Sequence, residues 1–159
     1  MEFREMKDNE IEQVGKLHNE LAYYIQKETG DAYFDYDNLD LHNITEHLKS
    51  YINHPSRRIY IAEKSGEVVG FIAGEIISCF LSISSIQKVG YISGAYTNPS
   101  FRGNGIMKKL ENCIIDFFQQ NGIVYVEVNF ITENKIAKNC WEGLGYKTFR
   151  QQARKKLDD

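Results

Sequence analysis

The segment FRGNGI, residues 101–106, places an arginine and two glycines directly before a stretch with helical periodicity. The first amides of a helix lack internal acceptors and lie at the positive end of the helix dipole, so they can bind phosphate. Gly103 and Gly105 carry no side chain that would block an anion, and Arg102 adds a positive charge. The spacing fits neither the P-loop nor the dinucleotide fingerprint, in which Lys108 would stand at the third glycine. The segment therefore favours a phosphate-binding turn, and a plain glycine-rich turn is the alternative.

The apolar patterns on either side of this segment predict the elements that position it. Gly94 interrupts one predicted strand and indicates a bulge or a close backbone approach. The predicted strands cover residues 2–6, 58–63, 68–77, 89–97 and 123–130, with one or two more between 146 and 157. The predicted helices run from the N-cap Asp8 to the terminator Gly30, and over residues 39–52, 104–120 and 134–143. This order predicts one mixed α+β domain over residues 1–159.

Composition narrows the range of partners. The formal net charge is −3 and no Lys/Arg block dominates one region, so nucleic acid is not an expected partner. The apolar runs are far shorter than the ~20 residues of a membrane span. The four histidines lack the spacing of a metal site, and the three cysteines form no CxxC pair. We expect a cytoplasmic monomer or homodimer that binds neither membrane nor metal.

Three segments taken together resemble the GNAT acetyltransferase family: YTNPSFRGNGIMKKL, IVYVEVNF and NKIAKNCWEGLGY. The family's acetyl-CoA motif is commonly Gln/Arg-x-x-Gly-x-Gly/Ala. Arg102 and Gly105 match its first and fourth positions, whereas Met107 replaces the small sixth residue. The later family signature corresponds to Asn134 and Ala137, followed by a glycine–aromatic pair at residues 145–146.

The resemblance implies a mostly antiparallel, twisted sheet with about four flanking helices, which splays open between its fourth and fifth strands. Acetyl-CoA enters that gap as the cosubstrate. Its pantetheine arm is expected on Ala95, Tyr96 and Thr97, where a bulge would turn the backbone towards the ligand. The resemblance places the pyrophosphate on the amides of Arg102, Gly103, Asn104, Gly105 and Ile106. It also implies that Asn134 reaches the cofactor.

The implied reaction is direct attack of a neutral amine on the thioester. An alkylamine is mostly protonated at pH 7, so a base must remove a proton, and Glu75 and Glu127 are the candidates because each interrupts an apolar strand. Trp141 stands where the family commonly has a tyrosine that protonates the leaving thiolate. An indole N–H is a donor but no usable acid. The thiolate can leave unprotonated, Tyr96 or Tyr125 can replace the acid, or the protein binds acyl-CoA without turnover.

The acceptor is predicted from DAYFDYDNLD, residues 31–40, which carries four aspartates and three aromatic residues without Lys or Arg. The resemblance places this connection beside the acceptor site. Carboxylates attract cations, and aromatic faces hold an ammonium group. We expect a small cationic amine bound through Tyr33, Asp35, Tyr36 and Asp37. The alternative interpretation is a solvated loop that caps the next helix.

Two other functions stay open at this point. One is acetylation of a protein lysine or N-terminus, which needs an open groove for the protein substrate. The other is a regulatory module that binds acyl-CoA without catalysis, which the replacement at Trp141 favours. Release of free thiol from acetyl-CoA over a panel of amines separates the enzymes from the module.

Overall fold

The computed structural model describes residues 1–36 and 41–157. The chain forms two compact units, Met1–Asn129 and Phe130–Asp159, which we describe separately. The first unit contains the sheet and three helices, and the second contains one helix. The predicted start of the second helix at residue 39 and the predicted acceptor residue Asp37 lie outside the described residues.

The first unit is built on a five-stranded sheet in which the strands follow their order in the chain. Strands β1 to β4 pair antiparallel, and β5 pairs parallel to β4. The mostly antiparallel sheet that the resemblance implied is thereby confirmed. The strands are β1 (Glu2–Glu5), β2 (Arg57–Lys64), β3 (Glu67–Ser78), β4 (Lys88–Thr97) and β5 (Val126–Val128).

Helical periodicity in the sequence produces four helices: α1 (Ile11–Thr29), α2 (Leu41–Lys49), α3 (Ile106–Gln120) and α4 (Lys135–Gly143). Helix α1 ends at Gly30, which adopts the left-handed conformation and donates its N–H to the Gln26 carbonyl, as predicted. The N-cap prediction for Asp8 was wrong. Asp8 begins a short 3-10 turn, Asp8–Glu10, because the Glu10 carboxylate accepts the Lys7 N–H and closes that turn first.

The helices of the first unit cover both faces of its sheet. On one face, α1 and α2 share an apolar core with alternate residues of the strands. Contributors to that core include Ile11, Val14, Leu17, Leu48, Ile59, Ile61, Phe71 and Ala73. On the other face, α3 packs so closely that Gly74 and Gly90 have no room for a side chain: a Cβ on either would lie within 2.8 Å of Ile114 or Phe118.

Two sequence predictions for the C-terminal strands were wrong. Strand β5 covers Val126–Val128 rather than 123–130, because it pairs only with Gly90–Ile92 of β4 and its backbone ladder ends there. Residues 146–157 form no strand, since no described strand offers them a partner and large apolar residues such as Phe149 are exposed.

The close contact at Gly90 yields a stability prediction. In Gly90→Ala, the new Cβ would lie 2.7 Å from ring atoms of Phe118, which is buried and cannot move away freely. We expect the free energy of unfolding, measured with urea, to fall by about 1–3 kcal/mol. Gly143→Ala is the control, because a Cβ there meets no atom within 4 Å. Equal unfolding midpoints for the two variants would show that α3 does not pack against β4 as described.

Candidate functional site

The two edges of β4 are used differently along its length. The edge facing β3 is paired from Lys88 to Thr97, whereas the opposite edge pairs with β5 only up to Ile92. Among the described residues, no strand pairs with that edge beyond Ile92. The sheet therefore opens between its fourth and fifth strands, as the resemblance implied.

A bulge in β4 determines which backbone groups face the opening. Gly94 lies opposite Ala73 and Ile92 lies opposite Gly74, so Ser93 is an extra residue. The Gly90 N–H donates towards β5, whereas the Asn98 N–H donates to β3. In a regular strand, two residues separated by an even number of positions direct their N–H groups to the same edge, so the extra residue has reversed the direction.

After the bulge, the three residues predicted to contact pantetheine do not all direct their backbone N–H groups to the same edge of β4. The Asn98 N–H donates to the Val69 carbonyl of β3 at 2.9 Å, so the backbone of Tyr96 also faces β3. The N–H groups of Ala95 and Thr97 therefore face the open edge. The backbone polar groups of Tyr96 face the neighbouring strand, and its side chain is buried in the core of the first unit.

The turn before α3 depends on its two glycines for conformation. Gly103 has φ 79° and Gly105 has φ 71°, both in the left-handed region that favours glycine. A Cβ at either position would meet no atom within 4 Å, so the local backbone, rather than protein packing, requires glycine. The Asn104 amide donates to the carbonyls of Phe101 and Arg102, at 3.1 and 3.2 Å, and closes the turn.

Consecutive backbone amides at this turn and at the start of α3 remain available for an anion. The Arg102 N–H donates to the Pro99 carbonyl at 3.2 Å, and the next backbone bond is from the Lys109 N–H to the Gly105 carbonyl. Within the described part of the chain, the N–H groups of residues 103–106 donate to no protein group. They lie at the N-terminus of α3, where the helix dipole favours negative charge.

Arg102 joins the turn to β4 and α1. Its Nε donates to the Thr97 carbonyl at 3.0 Å, and its guanidinium lies 5.4 Å from the Tyr96 ring and 5.7 Å from the Tyr24 ring. Both rings can stabilise the cation by cation–π contact. Arg102 therefore anchors the turn as well as adding charge to it.

Tyr96 lies beside this arginine and keeps its proton at neutral pH. The residue is 7% exposed. Burial raises the pKa of its phenol, and the negative charge of Glu20 on α1 raises the pKa further. A neutral phenol of this kind can donate a proton or a hydrogen bond.

The two candidate bases lie in one polar row that crosses four strands. In the sheet register, Arg57 is opposite Glu75, Glu75 is opposite Tyr91, and Tyr91 is opposite Glu127. The Arg57 Nε lies 3.3 Å from the Glu75 carboxylate. The Asn129 amide donates to the Tyr91 hydroxyl at 3.4 Å. The two carboxylates therefore share a face, separated by one tyrosine.

Sequence reasoning did not find a further polar pair at the bulge. The Tyr51 hydroxyl lies 2.9 Å from the Ser93 Oγ, and the two groups share a hydrogen bond. Tyr51 follows Leu48 at helical spacing, so the sequence indicated only a core residue. An interrupted strand at Gly94 was the available signal for the bulge, but it did not identify the partner of Ser93.

The predicted acceptor segment is described only in part. A short 3-10 turn covers Ala32–Phe34, and the Asp31 carboxylate accepts the Tyr33 N–H at 2.9 Å. The side chain of Tyr33 is 74% exposed, Asp35 is also exposed, and Tyr36 is partly buried. An acceptor role for these residues stays a prediction.

The second unit holds the two remaining predicted residues. Asn134 is the N-cap of α4, and its side-chain oxygen accepts the Ala137 N–H at 3.0 Å. This cap gives a structural reason for the spacing of the Asn and Ala in the family signature. Trp141 is 5% exposed and contacts the Tyr146 ring edge to face, with centroids 5.3 Å apart.

Neither a group of metal-binding side chains nor a membrane-spanning helix is present in the described ranges 1–36 and 41–157. In those ranges, no three His, Cys, Asp or Glu side chains are grouped so that they could hold a metal ion. No helix there is both long and apolar enough to cross a membrane.

Relatives in sequence are N-acetyltransferases. The chain is 23% identical to an uncharacterized N-acetyltransferase of Bacillus subtilis, over 92% of this chain and 89% of that protein. It is 34% identical to an uncharacterized N-acetyltransferase of Methanocaldococcus jannaschii, over 55% of this chain but only 38% of the archaeal protein.

Solved structures share the fold at low sequence identity. A mutant protein from Bacillus halodurans has a TM-score of 0.85 at 19% identity, with 99% of both chains covered. The aminoglycoside N-acetyltransferase AAC(6')-Iy, bound to a bisubstrate analogue of CoA and acetylneamine, has a TM-score of 0.80 at 16% identity, with 99% and 98% covered. A predicted acetyltransferase from Clostridium acetobutylicum, solved with acetyl-CoA, has a TM-score of 0.74 at 16% identity, with 98% and 96% covered.

The profile of the acetyltransferase (GNAT) family matches residues 18–146, which include β2 to β5, the turn before α3 and helix α4. This match covers well over half of the chain, and the fold of the solved structures agrees with it. The chain therefore belongs to the acetyltransferase (GNAT) family.

Proposed function

We propose that this chain is an acetyl-CoA-dependent N-acetyltransferase that acetylates a primary amine of a small, cationic acceptor. One observation carries the proposal: the open edge of β4 leads directly into the available amides at the start of α3. An extended thioester arm and a pyrophosphate need these two features in this order. Membership of the GNAT family supports the same ligand.

The cofactor would bind by extending the sheet. The pantetheine arm carries amide groups, and these can pair with the Ala95 and Thr97 backbone as an added strand would. The pyrophosphate would then reach the amides of residues 103–106 and the N-terminus of α3. Arg102, fixed by Thr97 and two tyrosine rings, holds the turn in the binding conformation.

The chemistry requires a base for the amine and donors for the oxyanion. We favour Glu127 as the base, because β5 borders the opening, whereas Glu75 lies on β3, two strands from β5. The acceptor nitrogen attacks the thioester carbonyl after losing its proton to this carboxylate. An N–H on the open edge of β4, such as that of Ala95, would stabilise the oxygen as it becomes negative.

The departing sulfur needs a proton or must leave as a thiolate. We propose Tyr96 as the donor, because a tyrosine phenol is protonated at neutral pH and Tyr96 lies near the end of β4. As the amide forms, its nitrogen would release its second proton, and Tyr96 would regain a proton from solvent after the thiol leaves. Trp141 would then serve in packing, in agreement with its burial against Tyr146.

The proposal of a cationic acceptor rests on the acidic, aromatic segment at residues 31–40. Its described part presents Tyr33 and Asp35 on the surface. The structural neighbour AAC(6')-Iy is named as an aminoglycoside N-acetyltransferase, and aminoglycosides are polycationic amines. Aspartates near the acceptor would raise the local concentration of such a molecule.

The proposal predicts that cationic amines release free thiol from acetyl-CoA when the protein is present. The parent should acetylate amino sugars, polyamines or basic amino-acid derivatives faster than neutral or anionic amines, followed as free thiol and product mass. In Asp35→Asn with Asp37→Asn, the KM for the amine should rise and its salt dependence should weaken, since fewer charges attract the cation. The KM for acetyl-CoA should not change.

The variant Asp8→Asn with Asp116→Asn is the control for these substitutions, because it removes the same charge at exposed positions on other elements. A preference for neutral or anionic amines, or equal amine KM values in both double variants, would remove the acidic segment as the selector. Absence of thiol release with every amine would contradict the enzymatic proposal itself.

Arg102 should matter for geometry as well as charge. Arg102→Lys keeps the charge but loses the Nε–H bond to Thr97, so we expect the Kd for acetyl-CoA in calorimetry to rise about tenfold. Arg102→Glu should weaken binding further, because a carboxylate would lie beside the phosphates. Lys16→Glu, an exposed substitution on α1, is the charge-matched control for the second variant. Unchanged binding by both Arg102 variants would exclude this turn as the phosphate site.

Tyr96 and Trp141 should differ in kinetic effect. Tyr96→Phe keeps the ring under Arg102 but removes the acidic hydroxyl, and should lower kcat by about tenfold or more. Trp141→Phe should retain at least about a tenth of the parent kcat, a barrier increase below ~1.4 kcal/mol. Steady-state kinetics at saturating acetyl-CoA measures both. A thousandfold loss in Trp141→Phe with intact cofactor binding, or full activity in Tyr96→Phe, would reverse the assignment.

A further inference from the structure

The extra residue of the β4 bulge is hydrogen-bonded to a residue that follows helix α2. A bulge leaves its extra residue outside the regular ladder, so that residue needs another restraint if the strand is to keep one conformation. Here Ser93 is exposed, but its Oγ shares a hydrogen bond with the Tyr51 hydroxyl at 2.9 Å. Tyr51 lies 42 residues earlier, just after α2. This contact is therefore a tertiary restraint on the bulge.

The Tyr51 side chain is itself held from several directions. It is 2% exposed and belongs to the core shared by α1, α2 and the sheet. The Arg57 guanidinium lies 5.7 Å from its ring centre, and the same arginine pairs with Glu75 and donates to the Ser50 Oγ. The position of the Tyr51 hydroxyl is thus set by α2, β2 and β3 together.

The position of the Tyr51 hydroxyl matters because the bulge changes which backbone N–H groups of β4 face each edge of the strand. Before the bulge, the Gly90 N–H faces β5; after it, the N–H groups of Ala95 and Thr97 face the open edge. If the bulge were lost and the pairing before it kept its register, the backbone N–H groups of Gly94 and Tyr96 would face that edge instead. A restraint on Ser93 therefore also restrains the amides that face a ligand.

We infer that Tyr51 is a positioning residue, whose hydrogen bond to Ser93 fixes the β4 bulge and so aims the Ala95 amide at the acyl carbonyl. The role of this amide towards the acyl group rests on the proposed function. The restraint on the bulge does not, because it is a property of the free protein. Small displacements of a donor reduce the stabilisation of a developing oxyanion, so the effect belongs to the chemical step.

The test compares Tyr51→Phe, Ser93→Ala and the double variant with the parent. Each single variant should show faster hydrogen–deuterium exchange at the amides of residues 93–95 in the free protein. With cationic amines, kcat should fall about tenfold, with an unchanged KM for the amine and an unchanged Kd for CoA, which carries no acyl group. The double variant should lose no more than either single variant, because one interaction has been removed twice.

Tyr60→Phe is the matched control: it removes a half-buried phenol hydroxyl on β2, a strand that does not pair with β4. This variant should exchange and react as the parent does. If Tyr51→Phe lowers the melting temperature, the exposed Ser93→Ala variant still reports on the hydrogen bond. Unchanged exchange at residues 93–95 in both single variants would overturn the inference.

The kinetic outcomes separate the positioning role from others. Multiplicative losses in the double variant, or weaker CoA binding, would also overturn the inference, since they indicate separate or general structural effects. If the parent releases no thiol with any amine while exchange at the bulge increases as expected, the proposed acetyl transfer fails but the restraint by Tyr51 is retained.

Discussion

The hydrogen bonding of β4 is the constraint on which the site depends. One edge of this strand must pair with β3 along its full length, while the other pairs with β5 for only three residues. The extra residue Ser93 lies where β5 ends. It changes which edge of β4 each following backbone N–H group faces, so β4 stays paired with β3 on both sides of the bulge. Backbone donors that would otherwise be used within the sheet are thereby left at an open edge, next to a helix N-terminus.

The rest of the first unit keeps this arrangement rigid. Helix α3 lies against Gly74 and Gly90, so its N-terminus has a fixed position relative to β4. Arg102 then ties the turn to the last carbonyl of the strand. The other face of the sheet carries the polar row from Arg57 to Glu127, so the two candidate bases flank the strand that carries the predicted cofactor contacts.

Local patterns in the sequence predicted much of this fold. The glycines at 103 and 105 indicated the turn, Gly94 indicated the irregularity in β4, and Gly30 indicated the end of α1, because positive φ angles and bulges are properties of short segments. The family resemblance supplied the open sheet. The structure adds a conformational role for the two turn glycines, since both have left-handed φ angles and neither is required by protein packing.

What the sequence could not supply depends on contacts between distant segments. Tyr51 and Ser93 are 42 residues apart, and the polar row exists only because the register of four strands aligns Arg57, Glu75, Tyr91 and Glu127. Strand β5 is short because its backbone ladder with β4 ends after three residues, although its own alternation extends further.

The most direct test of the account is a titration of the isotope-labelled protein with acetyl-CoA, followed by backbone amide NMR. The largest shifts are expected at Ala95, Thr97 and residues 103–106, with little change at the β1–β2 edge of the sheet. Shifts confined to other surfaces, or none at millimolar acetyl-CoA, would contradict the claim that the open edge of β4 and the following turn bind the cofactor.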